Sequence, residues 1–129
     1  MGEMVATMVE QCAARIDEYP NKLILYRDGA AESAYDQIII QEVNGIRSKC
    51  AEVKEGCRPQ IAYIIVQKRH RMRFFPLNDE DKDSSENCVP GLMVDSTVTH
   101  PYDFDFSLMG HPGLLGTSRA CRHAALCKL

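Results

Sequence analysis

The 129-residue sequence lacks any long apolar run: the strictly apolar stretches Ile64 to Val66 and Leu23 to Leu25 fall far short of the ~20 residues a bilayer-crossing helix needs. No membrane partner is expected. It has no excess of positive charge, with 15 Lys and Arg against 18 Asp and Glu and a formal charge of -3. This excludes a surface coated in cations for nucleic acid but leaves room for a local basic strip. Six cysteines (12, 50, 57, 88, 121 and 127) contain no Cys-x-x-Cys spacing of a redox or zinc site. They are expected to be reduced thiols packing as small hydrophobes. The start, Met-Gly-Glu-Met, has neither the basic and apolar regions of a secretory leader nor the Ser or Thr at position 6 that myristoylation wants. No internal repeat is present. A soluble, intracellular protein is expected.

With 45% hydrophobic and 26% charged residues, the composition is that of a globular chain, and its length suits one domain or part of one. Met4, Val5, Met8, Val9, Cys12 and Ile16 recur at three- and four-residue steps, predicting a helix over 3–18 that Pro20 ends. Lys22 to Tyr26 reads as a strand buried on both faces, closed by Arg27-Asp28-Gly29. A second helical stripe runs through Tyr35, Ile38, Ile39, Val43, Ile46, Cys50 and Val53. Ile61 to Val66 is a second apolar strand. Strand, helix and strand predict an α/β fold with a parallel βαβ core. Extension of that second strand through Gln67 to Phe75 would put Arg69, Arg71 and Arg73 on one face, with Lys68 and His70 on the other. Asn78 to Asn87 reads as a mobile polar loop without the register of a calcium site. Short strands follow at Leu92 to Val98 and Phe104 to Met109.

Four features bear on chemistry. Asp28, just after a buried strand, lies where open α/β sheets place ligands and metals, although an aspartate there also serves simply as a turn former. The strip from Lys68 to Arg73 puts four cations in six residues, suited to successive phosphates or, equally, to a charged strand edge that resists aggregation. Phe74 and Phe75, beside it, are expected in the core. His70, His100, His111 and His123 show no metal-binding spacing and suit turns and core hydrogen bonds. The run Gly113 to Arg119 offers amides, hydroxyls and a guanidinium to phosphate, without the Gly-Lys-Ser/Thr of a Walker loop.

Four runs together resemble the Piwi domain of Argonaute proteins: Leu-Ile-Leu-Tyr-Arg-Asp-Gly (23–29), Ile-Ile-Val-Gln-Lys-Arg-His-Arg-Met-Arg-Phe-Phe (64–75), Val-Pro-Gly-Leu-Met-Val-Asp-Ser-Thr-Val-Thr-His-Pro (89–101) and Asp-Phe-Asp-Phe-Ser-Leu-Met-Gly-His-Pro-Gly-Leu-Leu-Gly-Thr-Ser-Arg (103–119). The resemblance implies an RNase H-like fold that holds a small guide RNA paired with its target RNA and, in active members, cuts the target with magnesium. It sets Asp28 on the second aspartate of the catalytic set. Lys68, Arg69, His70, Arg71 and Arg73 fall on the guide-contacting strand, and Thr117, Ser118 and Arg119 on a turn beside the nucleic-acid channel.

The departures shape the expectation. The first catalytic aspartate and the glutamate of the family would precede residue 1, and the run after Arg119 diverges. The expected organisation is an incomplete Piwi domain over 1–119, with short additional strands after the βαβ core, and a divergent tail over 120–129. Asp28 alone cannot hold two magnesium ions, so no cofactor is expected for this chain by itself. The implied role is weak binding of guide and target RNA without cleavage, in RNA-mediated silencing, in the cytoplasm or also the nucleus. Two alternatives stay open: a fragment that competes for Argonaute-interacting proteins, and an RNase H-type nuclease half completed in trans.

Overall fold

The computed structural model describes residues 1–127. Its elements run α1 (Gly2–Ile16), β1 (Lys22–Asp28), α2 (Tyr35–Ile38), α3 (Asn44–Val53), β2 (Gln60–Gln67), β3 (Met93–Val94), β4 (Asp105–Leu108) and β5 (Cys121–Cys127). A π-helical turn, Ile39–Val43, joins α2 to α3, so the predicted second helix is present but locally widened. The strands form one sheet in the order β1-β2-β5-β4-β3. Backbone bonds from Gln60 N to Asn21 O and from Gly29 N to Val66 O, both 2.9 Å, tie start to start and end to end, so β1 and β2 run parallel. β5 with β4, and β4 with β3, pair antiparallel. The result is the expected α/β architecture, with a mixed sheet.

The chain divides into two compact units: 1–26 and 30–64 with Leu126 and Cys127, and 27–29 with 65–125. In the first, α1 packs on α3 through Val5, Ala6 and Val9, and Ile38, Val43, Ile46, Cys50, Ile61 and Tyr63 are buried. Gly2 permits the approach, because a Cβ there would lie 2.9 Å from the Gly45 carbonyl oxygen. Tyr63 donates its hydroxyl to Glu42, which satisfies a polar atom within this core. In the second unit, Cys88, Met109 and Ala120 form a small core against which Phe74 and Leu92 pack. Burial raises the Cys50 and Cys88 thiols above their ordinary range, as it must for groups that ionise to thiolates.

Several expectations need correction. β1 is not buried on both faces: it stands at the end of the strand order, its burial alternates, and Ile24 and Tyr26 are exposed. β2 stops at Gln67, so Lys68 to Arg73 is not an alternating strand. Only Phe74 of the phenylalanine pair joins a core; Phe75 is exposed. The short strands shrink to Met93–Val94 and Asp105–Leu108. Cys121–Cys127, within the predicted divergent tail, is an interior strand between β2 and β4. Lys128 and Leu129 lie outside the described residues.

Candidate nucleic-acid interface

The parallel pairing of β1 and β2 brings their carboxyl ends together, and with them residues 40 positions apart. Lys68 Nζ, just beyond β2, stands 3.2 Å from Asp28 Oδ2 at the end of β1. Gly29, at φ 52°, makes the turn out of the strand, and Arg27 folds back to donate to its carbonyl at 2.7 Å. Both members of the Asp28–Lys68 pair are mostly exposed, so the pair contributes little to stability.

After β2 the basic strip is shaped by tertiary contacts. His70 Nε2 lies 2.7 Å from the Ala120 carbonyl, which pins this stretch against the segment entering β5. Arg73 turns its guanidinium onto the carbonyls of His70, at 3.0 Å, and Met72, at 2.6 Å. His70 and Arg73 therefore hold the strip in place, and Lys68, Arg69 and Arg71 are exposed. Within Thr117 to Arg119, Ser118 is buried while Thr117 and Arg119 face solvent. The contact between His70 and Ala120 thus ties the stretch that carries Arg69 and Arg71 to the stretch that carries Arg119. Among the described residues, none of these three guanidiniums has a hydrogen-bond or ion-pair partner.

The acidic loop is not the loose segment its polarity suggests. Asp83 Oδ1 accepts the backbone N–H groups of Ser85 and Asn87 at 2.8 and 3.0 Å, and its Oδ2 accepts that of Gly113 at 3.3 Å. Burial alone would raise this carboxyl, but the three amides outweigh it and hold the acid below its ordinary range. Sequence reasoning missed this role for Asp83 and Asn87. The signal was the Asp83-x-Ser85-x-Asn87 spacing, which suits a side-chain oxygen that caps amides two and four residues ahead.

The β4–β5 register sets Phe106 opposite His123 and Ser107 opposite Arg122. The Phe106 and His123 rings stack with centroids 4.6 Å apart and planes at 4°. Burial lowers the imidazole below its ordinary 6.5, opposed by a hydrogen bond with the Cys121 carbonyl. A folded state that disfavours the imidazolium gives stability that is full above about 6.5 and lost as pH falls below it, because the unfolded chain takes up the proton first. Urea midpoints measured across that range should decline on acidification less steeply in His123→Phe than in the parent chain.

A Piwi domain family model matches residues 1–127. The chain belongs to the Piwi domain family. It is 38% identical over 126 residues to rice argonaute 12, covering 97% of this chain and 12% of that protein. With Arabidopsis thaliana argonaute 10 the identity is 36% over 128 residues, covering 97% and 13%. The crystal structure of Kluyveromyces polysporus Argonaute with a guide RNA superposes at a TM-score of 0.88 and 24% identity, covering 99% of this chain and 17% of that one. Drosophila Piwi gives 0.80 at 28%, covering 98% and 17%. This Piwi chain therefore spans only about an eighth of the length of its argonaute relatives, and its fold is that of the corresponding part of solved Argonaute and Piwi structures.

The magnesium pair implied by the family fold does not fit the donors present. Asp28 meets an ammonium, and among the described residues no three His, Cys, Asp or Glu side chains converge.

Proposed function

We propose that this Piwi chain contacts the phosphate backbone of RNA, a small guide strand and its paired target, as part of Argonaute-directed silencing, and that it holds RNA without cutting it. One observation carries the reading: the His70–Ala120 contact joins the segments that bear Arg69, Arg71 and Arg119, all three exposed and without partners among the described residues, on a chain whose formal charge is -3. Unpaired guanidiniums on a fixed backbone suit phosphate, since they are always charged and carry five donors each. Thr117 adds an exposed hydroxyl, and Lys68 a cation that a phosphate can draw away from Asp28. Phosphate contacts of this kind position a strand without reading its sequence.

Fluorescence anisotropy with labelled single-stranded RNA and with a guide–target duplex tests the proposal. The Arg69→Ala, Arg71→Ala double variant is expected to bind about tenfold more weakly than the parent chain, largely independent of sequence. Unchanged affinity in a folded variant would overturn the reading. Magnesium-dependent cutting of a guide-paired target, abolished by Asp28→Asn, would overturn its non-cleaving part.

A further inference from the structure

The exposed run from Gly110 to Thr117 has no buried side chain of its own, and Leu114 and Leu115 are 93% and 95% exposed. Hydrophobic packing therefore does not set its path; polar contacts from the 83–87 loop do. Asn87 is 6% exposed, accepts Ser118 N–H on Oδ1 at 2.7 Å, and donates from Nδ2 to the Gly116 carbonyl at 3.0 Å and the Ser85 carbonyl at 3.2 Å. Ser85 Oγ donates to the Gly113 carbonyl at 2.8 Å, while Asp83 takes the Gly113 amide. The fit leaves no slack: a Cβ at Gly113 would overlap Ser118 Oγ and Asn87 Nδ2. Both ends of the turn are thus tied to one short loop.

We infer that Asn87, supported by Asp83, is a positioning residue for nucleic-acid contact: through the Gly116 carbonyl and the Ser118 amide it fixes the backbone that presents Thr117 and Arg119. The inference rests on the proposed RNA contact and assigns a role to the 83–87 loop. The logic is preorganisation. An exposed arginine on a loop without packing loses conformational freedom on binding, and a clamp made before binding removes that cost. An aspartate accepting three amides and a buried asparagine with every polar atom of its amide engaged supply such a clamp.

A double-mutant cycle on the full 129-residue chain, read by anisotropy with the labelled single-stranded RNA, tests it. Asn87→Ala is expected to weaken binding about fivefold, the scale of a lost hydrogen-bond network. In an Arg119→Ala background the same change should cost less than about twofold, because the residue being positioned is gone. In the Arg69→Ala, Arg71→Ala background the full effect should persist. A general loss of structure would act alike in both backgrounds, so equal effects overturn this inference and leave the RNA reading standing. Wild-type affinity in Asn87→Ala also overturns it. If neither arginine background binds more weakly than the parent chain, the RNA reading fails and takes this inference with it. Should Asn87→Ala not fold, Asp83→Asn enters the same cycle, with the same pattern expected and equal effects again contradictory.

Discussion

Replacing Arg122 with alanine is expected to destabilise the chain by about 3–5 kcal/mol, the scale for stranding one member of a buried ion pair. Asp105 is 3% exposed, accepts Arg122 Nε on Oδ2 at 2.6 Å, and takes the His100 amide on Oδ1 at 2.7 Å. The β4–β5 register places Asp105 opposite Ala124 and Ser107 opposite Arg122, so the guanidinium reaches diagonally across two register positions of the ladder, on one face of the sheet. Without it, a carboxylate shielded from water keeps only an amide. Replacing both residues with leucine should recover more than half of the loss, since two apolar groups need no compensation, although the His100 amide stays unsatisfied. Urea unfolding of the two variants measures this. A loss below about 1 kcal/mol for Arg122→Ala would show that solvent reaches Asp105.

Ile46→Ala should cost about 2–5 kcal/mol, the range for large-to-small changes at a packed site. Ile46 is fully buried on α3, the helix on which α1 packs, and follows Gly45, whose carbonyl oxygen would lie 2.9 Å from a Cβ at Gly2, so the two helices are already closely approached there. A void there cannot collapse easily. Ile40, in the π-helical turn, is 66% exposed, and its replacement by alanine should change stability by no more than about 0.5 kcal/mol. Comparable losses at the two positions would contradict the helix orientation.

These contrasts show what was legible in the sequence. The stripe of Ile38, Val43, Ile46 and Cys50 pointed to the buried face of the second helix because apolar side chains at three- and four-residue steps can hide only together. In α1 the same rule overreached. Val5, Ala6 and Val9 are buried, whereas Met4, Met8 and Ile16 are mostly exposed, because α1 meets α3 along a narrow face and periodicity does not measure the width of contact. β2 ended sooner than its extended composition suggested because a hydrogen bond to Ala120, 50 residues away, captures His70. Nor did the strand Cys121–Cys127 show itself, since Cys-Arg-His-Ala-Ala-Leu-Cys lacks both alternation and β-branched residues.

The candidate interface divides the same way. Lys68, Arg69, Arg71, Thr117 and Arg119 stand out in the sequence as residues whose chemistry suits phosphate, and Asp28 as a carboxylate suited to a metal or a turn. Their grouping depended on pairings between distant segments. His70, Arg73 and Ser118, read as contacts, are placed by the structure mainly in holding the backbone that carries the exposed groups. The clamp at Asp83 and Asn87 was hidden because a polar loop and a polar staple have the same composition; only the partners of each oxygen and amide tell them apart.

The salt dependence of RNA binding tests the central claim most directly. Affinity for the labelled single-stranded RNA, measured from about 50 to 200 mM salt, should fall with a log–log slope of about -2 or steeper if three guanidiniums each neutralise a phosphate. The Arg69→Ala, Arg71→Ala, Arg119→Ala variant should lose about 2 from the magnitude of that slope. Over this fourfold salt range the parent chain would then lose about 16-fold more affinity than the variant. Equal slopes in the parent and a folded triple variant, or binding by the parent chain that is indifferent to salt, would contradict the account.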